Sequence, residues 1–278
     1  MLKPNEFAIA QLLVLVEQAG PRVVAKSDGV PFAHEDFALQ VAVRFGMRPP
    51  GVVCPSALFA VPFASDHVAV VQVADQPDAS LGFRYLILAR SLYAALGDPF
   101  LIADRYQPDW SVRGSAAMLE WPREAPPSRK VEEIAVILQG DGPLLLGSTQ
   151  AMIDGTRLIM VRPEPDTTTL RDLWQLLPSR SRAELWPATF AFSTTLGFHA
   201  AVLPVLPTKL PPGYLSEEQM RDYPKGRYEL NLQIAAEDGN QTALDSLFAR
   251  PSSQDMLRLA LRMLAIALVG AVAMRLFF

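Results

Sequence analysis

The chain has little with which to perform covalent or metal chemistry. Its 278 residues include one cysteine, Cys54, and three histidines, His34, His67 and His199. A single thiol excludes an intramolecular disulfide and any metal site built on repeated Cys-x-x-Cys pairs, and it fits a reducing compartment. The histidines lack ligand spacing and the nearby acids do not repeat, so no metal and no cofactor is expected. Cys54 could be combined with His67 or His199 and an aspartate as a nucleophile. It precedes Pro55 in an apolar stretch, however, which is the setting of an inert buried thiol. Positive charge is scarce too. Lys and Arg number 25 against 29 Asp and Glu, a net charge of −4, and without a basic cluster no nucleic-acid partner is expected.

Other signatures are missing as well. Gly140-Asp141-Gly142-Pro143 prefaces a helix but lacks the lysine and the further glycine of a phosphate loop, so it reads as a helix cap. The acid pairs Glu132-Glu133 and Glu217-Glu218 are adjacent, which points their carboxylates apart on a helix and suits solvated faces. The N-terminal run Leu12 to Val16 is closely bracketed by Gln11 and Glu17, which suits a core strand or short helix better than a secretory signal.

What the chain does contain is punctuation. Its 24 prolines limit the length of every regular element and predict many short strands and helices. The clearest stretch runs from Leu144 to Pro204. Asp141-Gly142-Pro143 starts a helix that ends at Asp154-Gly155, and a strand comes next over Arg157 to Val161. Asp166 or Thr167 caps a helix whose Leu170, Leu173, Trp174 and Leu177 form one apolar stripe. Ala188 to Ser193, with Phe190 and Phe192 alternating, reads as the strand it packs on, and Phe198 to Leu203 as another.

Earlier in the chain, Arg22 to Lys26 is a strand and Phe37, Val41 and Phe45 mark a helix that Gly46 ends. Ala57 to Pro62 and Val68 to Val73 form a hairpin, the second strand apolar on both faces and therefore central. Phe83, Tyr85 and Ile87 mark a third strand, with Ser91 as the cap of a short helix through Leu96. Glu124 to Ser128 is a stiff proline connector ahead of a helix over Val131, Ile134, Ala135 and Leu138.

The segment from Asp98 to Pro122 differs in kind. It interleaves Phe100, Tyr106, Trp110 and Trp121 with Asp104, Arg105, Asp109 and Arg113, a mixture enriched at recognition surfaces. Two readings stand: an irregular loop whose rings plug the core edge, or a protein-binding surface formed by Phe100, Asp104, Arg105, Tyr106, Trp110, Arg113 and Trp121. Taken with Leu119-Glu120-Trp121-Pro122, Leu144 to Gly155 and Leu173 to Phe192, these residues resemble the N-terminal domain of GTPase-associated proteins from bacterial conflict systems, over about Ala57 to Pro204. That resemblance implies an α+β platform without catalysis of its own, working beside a GTPase-system component. Where that family carries larger partner-coupling regions, this chain carries an apolar tail.

From Leu257 to Phe278 only Arg258, Arg262 and Arg275 are neither apolar nor small. At about 1.5 Å per residue, about 22 residues reach about 33 Å, the depth of a bilayer core. The uncharged run between Arg262 and Arg275 is about twelve residues, which is short for a span. The arginines lie near the ends, where their long stems let the charge reach the interface. Basic flanks on the near side place the folded body in the cytoplasm.

These readings predict an α+β protein with a mixed, mainly antiparallel sheet and packed helices. One bilobed domain spans 1–205, with lobes of about 1–122 and 129–205. A Pro-rich crossing with helices occupies 206–250, and 255–278 is a transmembrane tail anchor flanked by Arg258, Arg262 and Arg275. The expected role is a non-enzymatic, membrane-tethered adaptor for a protein partner. Its rivals are a hydrolase or transferase with dispersed catalytic residues, and an effector that acts on the bilayer through its tail.

Overall fold

The computed structural model describes residues 4–78 and 80–250. The expected anchor, 255–278 with Arg258, Arg262 and Arg275, lies outside those residues. Among the described residues no helix is long and apolar enough to cross a membrane.

The protein is α+β with a mixed sheet. Its first half holds β1 (Ala8–Glu17), β2 (Gly20–Ser27), α1 (Phe32–Arg44), β3 (Ala57–Phe63), β4 (His67–Asp75) and β5 (Leu81–Ala89). Then come α2 (Arg90–Leu96), α3 (Pro99–Arg105), β6 (Gly114–Ala116) and β7 (Leu119–Glu120). The second half holds α4 (Val131–Gln139), α5 (Gly142–Ile153), β8 (Arg157–Val161), α6 (Thr167–Leu176), α7 (Ser179–Arg182), β9 (Pro187–Ala188) and β10 (Ala200–Leu203). It closes with β11 (Tyr214–Ser216), α8 (Glu217–Arg221), α9 (Arg227–Glu237) and α10 (Gln241–Phe248).

All the described strands join one sheet in the order β11-β8-β10-β9-β3-β4-β5-β1-β2-β6, with β7 paired to β1. The run β3-β4-β5-β1-β2 is antiparallel, while β11, β8, β10 and β9 are parallel. The two halves meet at a narrow seam where Phe59 opposes Ala188. Thr189 reinforces it: its amide donates to the Leu58 carbonyl and its hydroxyl accepts the Leu58 amide, each at 2.8 Å. Ala188 to Ser193 was expected as a strand, but only Pro187–Ala188 enters the ladder. Beyond the seam the backbone bonds turn to other elements, from Ala191 to Val202 and from Phe192 to Phe45.

As its sequence requires, β4 is central, and seven of its nine residues are buried. Alternation divides the antiparallel half into two faces. Phe83 and Tyr85 lie under α1, where the Tyr85 hydroxyl donates to the Ala38 carbonyl at 2.8 Å. Phe45 meets Phe59, Phe83 and Phe192 there, with ring centroids 5.1–5.3 Å apart. Each such pair adds about 0.5–1.5 kcal/mol beyond its buried area.

In the other half α5 is buried almost all round, which a single apolar stripe would not reveal. Gly147 lets α8 cross it closely: a Cβ there would stand 2.0 Å from the Met220 carbonyl oxygen. Asp141 caps α5 and Asp166 caps α6, and the stripe Leu170, Leu173, Trp174, Leu177 is wholly buried.

Several expectations need correction. Asp98 to Trp110 is not all loop, because Asp98 Oδ1 accepts the amides of Phe100 and Leu101 at 2.9 and 3.1 Å and, with Pro99, starts α3. Ser91 caps no helix; α2 starts one residue earlier, and the Ser91 hydroxyl donates to Glu6. Glu217 is no solvated face, since it takes a two-pronged bond from Arg162 at 2.6 and 2.7 Å. The stretch 206–250 contains β11 and α8 as well as two helices. Its Tyr214, Met220, Tyr228, Leu232, Leu244 and Phe248 belong to the same core as residues 9–203.

Candidate functional site

The segment that sequence singles out is held from beneath by polar residues on the sheet. Gln11, Gln72 and Arg84 stand on β1, β4 and β5, all on the face opposite α1, and all three are buried. Arg84 Nε and Nη2 donate to Gln11 Oε1 at 2.9 and 2.6 Å, and Nη1 donates to Gln72 Oε1 at 2.8 Å. Nη1 also reaches the Tyr106 carbonyl at 2.6 Å. Gln72 Nε2 donates to the carbonyls of Ala103 and Tyr106, and Gln11 Nε2 to that of Ala117. One buried fork thus ties both ends of the segment from α3 to β7 onto the sheet. Burial lowers the Arg84 guanidinium to about 10, with Asp109 opposing the shift.

On this platform the seven predicted residues separate. Phe100 is core: its ring lies 6.4 Å from that of Trp174. Trp121 is buried as well, with Arg105 over its ring at 5.3 Å and Tyr106 edge-on at 6.1 Å. Tyr106 is half-buried and donates to the Glu120 carbonyl at 2.7 Å. Trp110 is half-buried against Gly82, where a Cβ would stand 2.8 Å from its ring. Asp104, Arg105 and Arg113 are exposed. Asp104 accepts a fork from Arg171 at 2.5 and 2.9 Å, and Arg113 donates to the carbonyls of Trp110 and Val112. A groove of about 320 Å³ beside Pro122 and Pro126 brings Asp104, Arg105 and Trp121 together. Trp110 and Arg113 stand outside it.

Across Pro126-Pro127 lies a larger groove of about 790 Å³, which the sequence did not reveal. Asp98 is the hub of its floor. Besides capping α3, it accepts from Gln175 Nε2 at 3.2 Å and from Arg182 Nη2 at 2.5 Å, in an ion pair whose partners are 9% and 8% exposed. Arg182 Nε and the Trp174 indole both donate to the Gly97 carbonyl, at 2.9 and 3.2 Å. Arg129 caps the end of α6, donating to the carbonyls of Gln175 and Leu177 at 2.8 and 2.6 Å, and it lies 3.4 Å from the Phe248 ring centroid. Burial is the chief cause that lowers its guanidinium to about 9. Arg182 is thus paired with the Asp98 carboxylate, and Arg129 is spent on backbone carbonyls and the Ser179 hydroxyl.

The residues considered for catalysis lie elsewhere. Burial pushes the Cys54 thiol up to about 12, with the Asp75 carboxylate adding to it. Its amide donates to Asp75 Oδ2 at 2.7 Å, and no hydrogen bond among the described residues joins its thiol to a histidine. His199 accepts the Trp186 amide at Nδ1, at 3.1 Å, while His67 pairs with Asp66 at 2.8 Å and packs edge-on against His34. Among the described residues no group of three or more Cys, His, Asp and Glu is disposed to hold a metal.

Compared with known proteins, the chain matches no family model and no curated protein.

Proposed function

We propose that this protein is a non-enzymatic platform for a protein partner, tethered to a membrane by residues 255–278 with its folded body on the cytoplasmic side. The partner surface is formed by Asp104, Arg105, Tyr106, Trp110 and Arg113, whereas Phe100 and Trp121 support it from within. The observation that carries the reading is the Arg84 fork, which ties down the segment that presents half-buried Tyr106 and Trp110 beside exposed Arg105 and Arg113. Interfaces favour that composition, and preorganisation lowers the entropy lost on binding. In this reading the lobes of about 1–122 and 129–205 are two halves of one body joined by the proline connector. The resemblance to GTPase-associated proteins of bacterial conflict systems makes a component of such a system the first partner class to try.

The test uses the full chain with Arg105→Ala and Arg113→Ala together, and Arg123→Ala as an exposed control. Partner recovery from the native membrane fraction should drop at least about tenfold in the double variant, as loss of central arginine contacts does, and not in the control. Equal recovery from all three removes this surface from consideration.

A further inference from the structure

His34 and His67 are far apart in the sequence, and the fold brings them together. His67 opens β4 and by alternation faces α1, whose first turn carries His34. Their ring centres are 5.2 Å apart, with the planes at 71°. Asp66 Oδ1 lies 2.8 Å from Nδ1 of His67. A carboxylate only accepts, so Nδ1 carries the proton and Nε2 of the neutral ring keeps its lone pair. No hydrogen bond among the described residues occupies a ring nitrogen of His34. Burial, with His67 adding to it, lowers the His34 imidazole, so at neutral pH this ring also offers a lone pair.

The backbone around the two rings is fixed. His67 is paired with Phe63 on one side and Ala89 on the other, and the Asp66 carbonyl accepts the Arg90 amide at 2.8 Å. The His34 ring leans edge-on against Phe63, with centres 5.2 Å apart. Both histidines are half-exposed, so an ion can reach them.

We propose that Nε2 of His67 and a ring nitrogen of His34 bind one divalent transition cation of the zinc class, with the Asp66 carboxylate holding His67 from behind. Imidazole nitrogens suit zinc, copper and nickel. A carboxylate on the far nitrogen of a ligating histidine is the common support of such sites, because it fixes the tautomer and the ring. The spacing fits as well. Two imidazoles that share a tetrahedral cation, at about 2.0–2.1 Å per bond, hold their ring centres about 5 Å apart. His34 has no hydrogen bond to give up, so it can turn about χ2 to aim a nitrogen at the same point. Asp66 is engaged by Nδ1 and is not itself a ligand, which leaves two protein ligands. That is fewer than catalytic or structural zinc sites use, so water completes the shell and the ion exchanges. The site lies on the sheet face opposite the Arg84 fork and does not rest on the proposed partner surface.

Calorimetric titration of the full chain with zinc alone tests the site. Wild type should bind one zinc per chain, and a large excess of magnesium, which prefers oxygen ligands, should not compete. His34→Ala and His67→Ala should each weaken binding at least about hundredfold, as loss of one of two linked contacts does. Asp66→Ala should weaken it about 10–100-fold. His199→Asn should leave it unchanged. Absence of saturable binding, competition by magnesium, or equal affinity in any of the first three variants overturns the proposal. A second measurement needs no variant: with cupric ion in place of zinc, electron paramagnetic resonance of the wild-type chain should show two imidazole nitrogens on the metal. One nitrogen or none overturns the site.

Discussion

The Arg84 guanidinium donates to the Tyr106 carbonyl at 2.6 Å, across 22 residues of sequence, and the same side chain reaches Gln11 and Gln72. Among the described residues no carboxylate hydrogen-bonds to it, so its direct partners are amide and carbonyl oxygens, with Asp109 acting only through space. Arg84→Leu would strand two side-chain oxygens, Gln11 Oε1 and Gln72 Oε1, while the Tyr106 carbonyl keeps its bond from Gln72 Nε2. An unmet buried polar group costs about 1–3 kcal/mol, and water entry would relieve part of the sum. Urea unfolding should show a loss of about 3 kcal/mol. Arg84→Lys should recover only a fraction, because an ammonium cannot serve three acceptors arranged for a planar fork. A loss below about 1 kcal/mol for Arg84→Leu would mean that water already solvates these groups.

Gly82 and Trp110 make a second tie between β5 and the same segment. A Cβ at position 82 would stand 2.7 Å from Gln76 Nε2 and 2.8 Å from the Trp110 ring, closer than carbon atoms pack. Gly82→Ala should therefore lift Trp110 into solvent, at a cost of about 1–3 kcal/mol for an overpacked site. Red-shifted tryptophan emission would report the move, since the shift should vanish when Trp110→Phe is combined with it. The double variant should also regain part of the stability, a coupling that separated residues would not show.

Asp98 and Asp104 are six residues apart and each meets an arginine, yet they should differ several-fold in worth. The Asp104–Arg171 pair is 51% and 38% exposed, and such pairs contribute about 0–1 kcal/mol. Asp98–Arg182 is buried, and removing one partner of a buried pair costs about 3–5 kcal/mol. Asp98→Ala also removes the cap of α3, worth about 1 kcal/mol. Thermal melts of the two alanine variants should place Asp98→Ala well below wild type and Asp104→Ala close to it. Similar midpoints would show that Arg182 finds another counter-ion.

The same residues show what the sequence makes legible. The spans of α5, β8 and α6 could be read because Asp141, Asp154-Gly155 and Asp166 mark their ends locally. Asp98-Pro99 carries the same mark, but α3 is seven residues long and offers too short a stripe to be recognised. The strand β11 is three residues long and exists only through parallel pairing with β8, a contact that no local pattern encodes. Arg84 is harder still. In a strand with Phe83, Tyr85 and Ile87 on one face it alternates like a solvent-facing residue, and its burial depends on what the distant segment around Tyr106 does. The larger groove is assembled from α2, α3, α4, α6, α7 and α10 with the proline connector. Its floor contact from Arg129 to Leu177 spans 48 residues, so only the tertiary fold could show it.

His199 should make the protein acid-sensitive. Burial, with Arg157 adding to it, holds its ring down at about 4, and its Nδ1 accepts the Trp186 amide, a role that only the neutral ring can play. In the unfolded chain the ring takes a proton near its ordinary value of about 6.5. The folded pKa is therefore depressed: the contribution is intact above about 6.5 and is lost as the pH falls toward 4. His34, lowered by burial and by His67, acts in the same direction. At about 1.36 kcal/mol per unit, discounted for partial exposure, His199 should account for about 2 kcal/mol. His199→Asn keeps an acceptor near the Nδ1 position and removes the titration. Between pH 7 and pH 4.5 the unfolding free energy of wild type should fall by about 2 kcal/mol more than that of the variant. Parallel losses would mean that the folded protein admits the proton at His199 without penalty, and that the ring is not held by the Trp186 amide.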